Sequence, residues 1–417
     1  MFLQTNYVHI GGKYFFVKIL LIHNKYKQKG GEDIVFKAES NLLKEKGHTV
    51  YEYKISNDSL KMESLFDKIK VGINTIWSVK IYKEIKKLII DIQPDIVHIH
   101  NTFPQISPSI YWAVKSLNIP VVQTLHNYRL TCANGLLYRN DKPCEECVKN
   151  GKYRALKYKC YRRSFLATLP IVIMFYLHNM IGTYKNKVDL YITLTKFAKN
   201  IMVQSGFPEN KIIVKPNFIN KIVNKKIYTD INKRKKQFIF VGRIVKEKGI
   251  DLLLEAFNKN IEGFDLVIIG EGPEKEKLQE KYRGNKRIKW YGQLNHDEVL
   301  EEIANSYSLV MPSKLYETFG MVIIEALSVG TPVIVPNHAG FPDIISPNEN
   351  GYLFKVDDVM DLASTMKKMI NLNNSWNEFS KNALKSYEKY YTAEKNYQYL
   401  MDIYNKLKKN NNLGGKK

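Results

Sequence analysis

Cysteine is scarce in this sequence, and its four residues all fall in one stretch, from Cys132 to Cys160. That is too few for a disulfide scaffold in a chain of 417 residues. Long apolar runs are missing as well. The most hydrophobic stretch, Phe165 to Leu177, holds about thirteen residues where a bilayer span needs about twenty. Acid is short relative to base: 41 Asp and Glu stand against 64 Lys and Arg, a formal net charge of +23. This turns the chain toward anionic partners such as phosphorylated small molecules, phospholipid surfaces or nucleic acid. Much of the charge is lysine scattered beside Asn and Ile along helical faces, and no nucleic-acid motif accompanies it, so no nucleic-acid partner is expected. Met1 to Phe16 lacks the continuous apolar core of a secretory signal and reads as an extension, residues 1–16. A cytoplasmic protein is expected, able at most to rest on the inner face of a membrane.

What is present is enough apolar material, 44% of residues, for two cores of roughly 200 residues each. Short buried-type strands alternate with helical patterns: Phe16 to His23, then a helix from Ile34 to Lys46, then Thr49 to Tyr53. Further strands are expected at Pro94 to Asn101, Pro120 to Asn127, Val188 to Thr195 and Ile212 to Asn217, with helices between them. Strand and helix alternating at this spacing build a parallel sheet covered on both faces. Residues 17–218 form the first unit, with a cysteine-rich insertion at 131–163. Residues 219–236, rich in Lys and Asn, read as a linker. The pattern then restarts at Gln237 to Arg243 and continues through Leu266 to Pro273 and Ile288 to Gly292, giving a second unit, 237–391. A helix follows at 392–409, with Thr392 suited to cap it, and a disordered tail at 410–417.

One stretch organises the second unit. Glu317 sits in a polar turn after the apolar Leu309 to Pro312, and Glu325 lies eight residues on, inside an apolar helical pattern that opens near Phe319 and ends at Gly330. Helical geometry carries the second carboxylate about two turns along the axis. Between the two, Phe319 and Gly320 can point unpaired backbone N–H groups at an anion. A ligand with hydroxyls at both ends and phosphates in the middle, such as a nucleotide-sugar, fits this layout. Upstream, Gly242 lets backbone approach a ligand at a strand end, while Arg243 and Lys248 supply a fork donor and a mobile point charge suited to a diphosphate. Taken singly, each of these residues reads equally as a solvated charge or an ordinary turn.

Joined together, Gly242 to Gly249 and Glu317 to Gly330 resemble the signature of the retaining glycosyltransferases of family 4. The resemblance implies an α/β GT-B fold, two Rossmann-like doubly wound domains facing across a cleft, with the last helix crossing back to the first domain. It implies that Glu325 binds ribose, that Arg243 and Lys248 neutralise the diphosphate, that Glu317 holds hydroxyls of the donor sugar, and that Gly270 lies where the nucleotide is contacted. His126, in the run His126-Asn127-Tyr128-Arg129-Leu130, matches the acceptor-side loop in which a His approaches the transferred sugar. Gly30 and Gly31 match a loop over the donor phosphates or the acceptor, although a GG pair also makes an ordinary flexible turn. Phe341 and Asp343 depart from the family's Gly-rich loop and put a donor role there in doubt. The implied partners are a nucleotide-sugar, UDP- or GDP-linked, and a glycan or lipid-linked acceptor in surface polysaccharide assembly. No metal is required for transfer on this reading. A sugar-nucleotide epimerase of the same fold, or a non-catalytic basic module, remain as alternatives.

Cys144 and Cys147 have the two-residue gap of a zinc knuckle, and Cys132 and Cys160 flank them almost symmetrically. The four suit a structural zinc site, reduced thiols packed as small hydrophobes, or disulfides, which a cytoplasmic location disfavours. Lys152 to Arg163, basic with three interleaved tyrosines, runs into the apolar Phe165 to Leu177. That is the pattern of an interfacial membrane contact or of a buried helix with a solvated basic face.

Overall fold

The computed structural model describes residues 16–26, 30–60, 64–220, 230–259 and 261–414. The proposed extension, apart from Phe16, and residues 221–229 of the proposed linker lie outside the described residues.

The first sheet contains β1 (Lys18–Lys25), β2 (Thr49–Ser56), β3 (Ile96–Asn101) and β4 (Val121–Leu125). A two-residue-strand hairpin, β5 (Tyr138–Arg139) and β6 (Lys142–Pro143), belongs to the insertion, and β7 (Leu190–Thr193) and β8 (Ile212–Val214) complete the sheet. Its order is β2-β1-β3-β4-β7-β8, parallel throughout. The second sheet uses β9 (Lys235–Val241), β10 (Asp265–Ile269), β11 (Ile288–Gly292), β12 (Ser306–Val310), β13 (Val333–Pro336) and β14 (Gly351–Phe354). It is also parallel, in the order β11-β10-β9-β12-β13-β14. β3 and β4 are buried at every position. Strands covered on both faces bury successive side chains rather than alternating with solvent, and the polar ones here are hydrogen-bonded, His98 to Tyr404 and Thr124, and Gln123 to Tyr111.

The crossover helices bury one stripe each. The helix Val79–Ile92 buries Ile81, Ile85 and Ile89, spaced four apart, and Ser78 caps it by accepting the Ile81 N–H at 3.4 Å. Separate apolar clusters fill the two faces of each sheet. The helix Leu65–Ile76, absent from the sequence reading, crosses the helix Phe165–Met180 where Gly72 meets Pro170.

The last helix, Ala393–Gly414, returns to the first sheet as expected. Thr392 caps it, its Oγ1 accepting the Lys395 N–H at 3.3 Å. Tyr397, Leu400, Met401, Tyr404 and Leu407 then enter the first core. The Tyr404 hydroxyl bonds His98 Nδ1 at 2.7 Å, and Tyr397 bonds His48 Nε2 at 2.9 Å. One boundary needs correction. The helix continues to Gly414, where the sequence reading begins a disordered tail at 410; Lys, Asn and Leu are all tolerated in a helix.

Each strand order reverses direction once, between β1 and β3 in the first sheet and between β9 and β12 in the second. Crevices outside the carboxyl ends of strands at such reversals are where open α/β sheets take ligands. Chain leaving β1 and β3 leads to Gly30, Gly31 and Asn101; chain leaving β9 and β12 leads to Arg243, Lys248 and Glu317.

Candidate active site

On the second domain, β9 ends at Val241 and a 3-10 turn, Lys246–Lys248, follows Gly242 and Arg243. Gly249 closes that turn at φ 68°, where a Cβ would sit 2.1 Å from the Pro312 carbonyl oxygen. Only glycine allows this approach, and it brings the loop after β9 against the loop after β12. The consequence is an ion pair: Lys248 Nζ lies 2.5 Å from Glu317 Oε1. The Ser313 hydroxyl donates to the same oxygen at 2.8 Å. Burial pulls the Glu317 pKa up, but Lys248, Ser313 and Arg243 together outweigh it and hold the carboxyl below its ordinary value. Arg243 itself is open, with 59% of its side chain exposed and Glu247 4.0 Å away. Two cations and an ionised carboxylate therefore converge at the reversal between β9 and β12.

The helix Met321–Ser328 opens at Gly320, with Phe319 buried behind it. Glu325 lies on this helix, 3.8 Å from His296 Nδ1. Burial raises its pKa and His296 offsets only part of that. The two carboxylates eight residues apart are thus biased in opposite directions, Glu317 ionised and Glu325 toward its neutral form. Gly270 has a structural explanation: a Cβ there would lie 1.9 Å from the Gly242 carbonyl oxygen, so it serves the packing of two strand-end loops.

On the first domain, Gly30 caps the helix Gly31–Glu45, and Asp33 accepts its N–H at 2.9 Å. Gly31 faces the second domain, since a Cβ there would lie 3.6 Å from Met321 Cγ. Glu32 accepts from Asn127 at 3.1 Å and from Asn101 at 3.2 Å. Burial, then the Asp33 charge, pushes its pKa up to about 8. Asp33 occupies the N–H at the head of this helix and leaves it a poor seat for a phosphate.

His126 follows β4, and its Nε2 pairs with His100 Nδ1 at 2.9 Å, the rings stacked at 5.1 Å. Burial drives its pKa down to about 3, so it meets the cleft as a neutral ring, a hydrogen-bonding group and not a cation. Behind it, His100 Nε2 lies 3.4 Å from Glu39, and Glu39 pairs with Lys215 at 2.9 Å. Glu39, His98 and His100 have metal-ligating atoms near one another. The site is already committed: Lys215 supplies the cation, and both nitrogens of His98 bond hydroxyls, of Tyr404 at 2.7 Å and Thr124 at 2.8 Å.

The halves touch directly. The Thr318 hydroxyl donates to the His126 carbonyl at 2.8 Å, and the Tyr316 hydroxyl donates to Glu145 at 2.9 Å. Thr195 Oγ1 donates to the Thr318 carbonyl at 3.3 Å, and the Phe197 N–H donates to Asp343 at 2.9 Å. The last contact explains why the 337–343 loop departs from a Gly-rich donor loop: Asp343 binds the first turn of the helix Lys196–Gln204, and Phe341 is fully buried. Sequence reading missed Glu32, Ser313, Tyr316 and Asp343. Glu32 alone had a local signal, its place directly after Gly30-Gly31.

All four cysteines are free thiols and line one small cavity. Burial first, then the neighbouring thiols, push Cys147 up to about 12 and Cys160 up to about 11.

A family model described as Glycosyltransferase Family 4 matches residues 43–221, and one described as Glycosyl transferases group 1 matches residues 223–386. The chain is 35% identical over 155 residues to the sulfoquinovosyl transferase SQD2 of Arabidopsis thaliana, covering 36% of this chain and only 30% of that protein's length. It is 24% identical over 379 residues to a protein of the cps region of Klebsiella pneumoniae, covering 84% of this chain and 92% of that one. Anabaena HepE, solved in complex with UDP, superposes with a TM-score of 0.66 at 14% identity over 93% of this chain and 99% of that one, a likeness of fold. With two parallel sheets facing across a cleft and the paired models running almost without a break across it, the chain belongs to the glycosyltransferases of family 4 and has their GT-B fold.

Proposed function

We propose that this protein transfers a sugar, with retention of configuration, from a UDP- or GDP-linked donor to a glycan or lipid-linked glycan, in assembly of a surface polysaccharide. The observation that carries the reading is the convergence of Lys248, Arg243 and Glu317 at the strand-order reversal of the second sheet. Arg243 and Lys248 bind the diphosphate and offset its charge as it leaves, so transfer proceeds without a metal. Glu317 fixes hydroxyls of the sugar, Glu325 meets the ribose, and the helix end at Gly320 and Met321 adds N–H donors. The bond from the anomeric carbon to the diphosphate breaks, and the acceptor oxygen bonds that carbon on the same face. The acceptor proton passes to the departing diphosphate oxygen. Neutral His126 hydrogen-bonds the transferred sugar, and Glu32 with Asn127 binds acceptor hydroxyls. Anabaena HepE with UDP and the Klebsiella cps-region protein support a nucleotide-sugar donor and a capsule-type product respectively.

A lipid-linked acceptor is supported by one face of the first domain. Phe66, Ile69 and Ile73 point outward from the helix Leu65–Ile76, and Leu166, Ile173, Tyr176 and Met180 from the helix packed against it. Lys68, Lys70, Lys157, Lys159, Arg162 and Arg163 are exposed in the same segments. Among the described residues no helix is long and apolar enough to cross a membrane, so the contact is peripheral, an apolar face with a basic rim on an anionic surface.

The test is release of nucleoside diphosphate from a panel of UDP-, GDP- and ADP-sugars with membrane extract as acceptor. Release from one donor, dependent on extract and lost in Glu317→Ala, is the expected result. Release from none, with UDP and GDP also failing to bind, would sink the donor-site assignment.

A further inference from the structure

The insertion between β4 and the helix Phe165–Met180 brings together residues far apart in its own sequence. Cys132 comes from the loop that continues His126, Cys144 from just after the β6 strand, Cys147 from the short helix Glu146–Lys149, and Cys160 from beyond the next helix. All four line a single small space of about 10 Å³, together with Arg139 and Tyr138. That is room for a single atom-sized guest and not for an organic ligand, and the sulfurs would have to draw together around it, since no three of them lie within 4.8 Å of one another. The insertion packs Ala133 and Ala155 against the helix Phe165–Met180 and Leu137 against Ala198 and Ile201, but it has little backbone structure of its own. Its regular structure is a hairpin of two-residue strands and two helices of four residues each, less than such segments need to be stable alone.

A second observation concerns charge. A dication held by four thiolates leaves a net charge of −2, which a half-buried site must offset. Two cations stand where that is needed. The Arg139 guanidinium lines the same space as the four cysteines and is held over the Tyr158 ring, 3.7 Å from its centroid. Lys152 Nζ is largely enclosed and donates to the Cys147 carbonyl at 3.0 Å and to Thr131 Oγ1 at 2.7 Å. No carboxylate pairs with Lys152 in these contacts, although placing an ammonium there costs solvation.

We infer that Cys132, Cys144, Cys147 and Cys160 form a four-thiolate structural zinc site that holds the insertion in the shape needed to bridge the cleft. Four cysteine ligands with the outer two far along the chain are the donor set of a closed, tetrahedral zinc site. The bridge runs through residues adjacent to the ligands. Glu145, between Cys144 and Cys147, accepts the hydroxyl of Tyr316 at 2.9 Å, and Tyr316 precedes Glu317. On the other side, Cys132 closes the turn in which its N–H bonds the Tyr128 carbonyl at 2.8 Å, two residues after His126. One ion would therefore tie the acceptor-side loop to the donor-side loop.

The experiment is metal analysis of the full-length protein, as purified and after anaerobic reduction and exposure to zinc alone. The expected result is about one zinc per chain, released in step with titration of four thiols by a mercurial. Replacement by Co(II) should give the intense absorption of tetrahedral cobalt thiolate, a readout that needs no variant and no activity. Cys144→Ser and Cys160→Ser should each lose most of the metal, and zinc removal should expose residues 131–163 to protease. Should both variants fail to fold, the wild-type stoichiometry and cobalt spectrum decide. No metal after reconstitution, iron in place of zinc, or zinc retained in full by folded Cys144→Ser and Cys160→Ser would each overturn the assignment.

Discussion

Lys248→Met isolates the charge on which the donor site depends. Methionine keeps most of the unbranched stem, so the loop after β9 stays packed through Gly249, while Glu317 loses the cation 2.5 Å away and keeps Ser313 and Arg243. A hydrogen bond to a charged group contributes about 1.5–3 kcal/mol. The Lys248 side chain is 19% exposed, which screens the resting ion pair. The full value is reached as charge builds on the departing diphosphate in a cleft closed over it. At 1.36 kcal/mol per tenfold, kcat/KM should fall by about 10- to 150-fold. The loss should appear more in kcat than in KM, because the missing contact strengthens as the glycosidic bond breaks. Steady-state release of nucleoside diphosphate measures both constants, and calorimetric titration with UDP or GDP measures ground-state binding. Lys248→Arg, which keeps the charge, should recover part of the rate. A Lys248→Met enzyme within about twofold of wild type in kcat/KM would refute the reasoning and leave Lys248 as a structural partner of Glu317. A lowered melting temperature with unchanged kcat would say the same.

Gly249→Ala should destabilise by more than about 2 kcal/mol, since alanine is strained at φ 68° and its methyl would meet the Pro312 carbonyl; chemical denaturation checks this, and an unchanged midpoint with intact donor binding would contradict the loop geometry. Glu32 predicts a pH effect of definite sign. Its carboxyl ionises from 4.5 in the unfolded chain but near 8 when folded, so between those values only the unfolded state releases the proton and stability falls as pH rises. The slope is at most about 1.4 kcal/mol per pH unit, the value for one proton released only by the unfolded chain. Glu32→Gln should abolish it, so the melting temperature of the variant should gain on wild type from pH 5 to pH 8; a constant difference would mean that Glu32 is ionised throughout. Phe66→Glu and Leu166→Glu should each weaken binding to anionic phosphatidylglycerol vesicles by roughly tenfold or more, at about 1–3 kcal/mol per apolar side chain withdrawn. Equal sedimentation of wild type and variants would remove the membrane face.

Much of the fold was legible because buried parallel strands leave a mark that needs no partner. Runs such as Leu309-Val310-Met311 and Leu266-Val267-Ile268-Ile269 are apolar on both faces, and the glycines and caps around them punctuate the pattern. The helix Leu65–Ile76 was harder to read: it turns Phe66, Ile69 and Ile73 to the outside and packs through Gly72 against Pro170, so its apolar spacing does not report a core face. The tail was misjudged for a different reason, as composition alone does not separate a frayed end from the last turns of a docked helix.

The donor half was readable because its residues act within a few positions of their own strand ends, Arg243 after β9 and Glu317 after β12. The acceptor half depends on groups assembled from separate strands. Asn101, Asn127 and Glu32 meet only when β3, β4 and the helix after β1 are set side by side, and nothing in their spacing announces it. The same holds for the contacts that close the cleft. Thr318, Tyr316 and Asp343 are ordinary loop residues until each meets the first domain, at His126, Glu145 and Phe197. Two of these three contacts flank Glu317 directly, so contact between the domains and placement of the Glu317 carboxylate are one structural event. A substitution at Tyr316 or Thr318 should therefore act on the catalytic rate without touching either substrate.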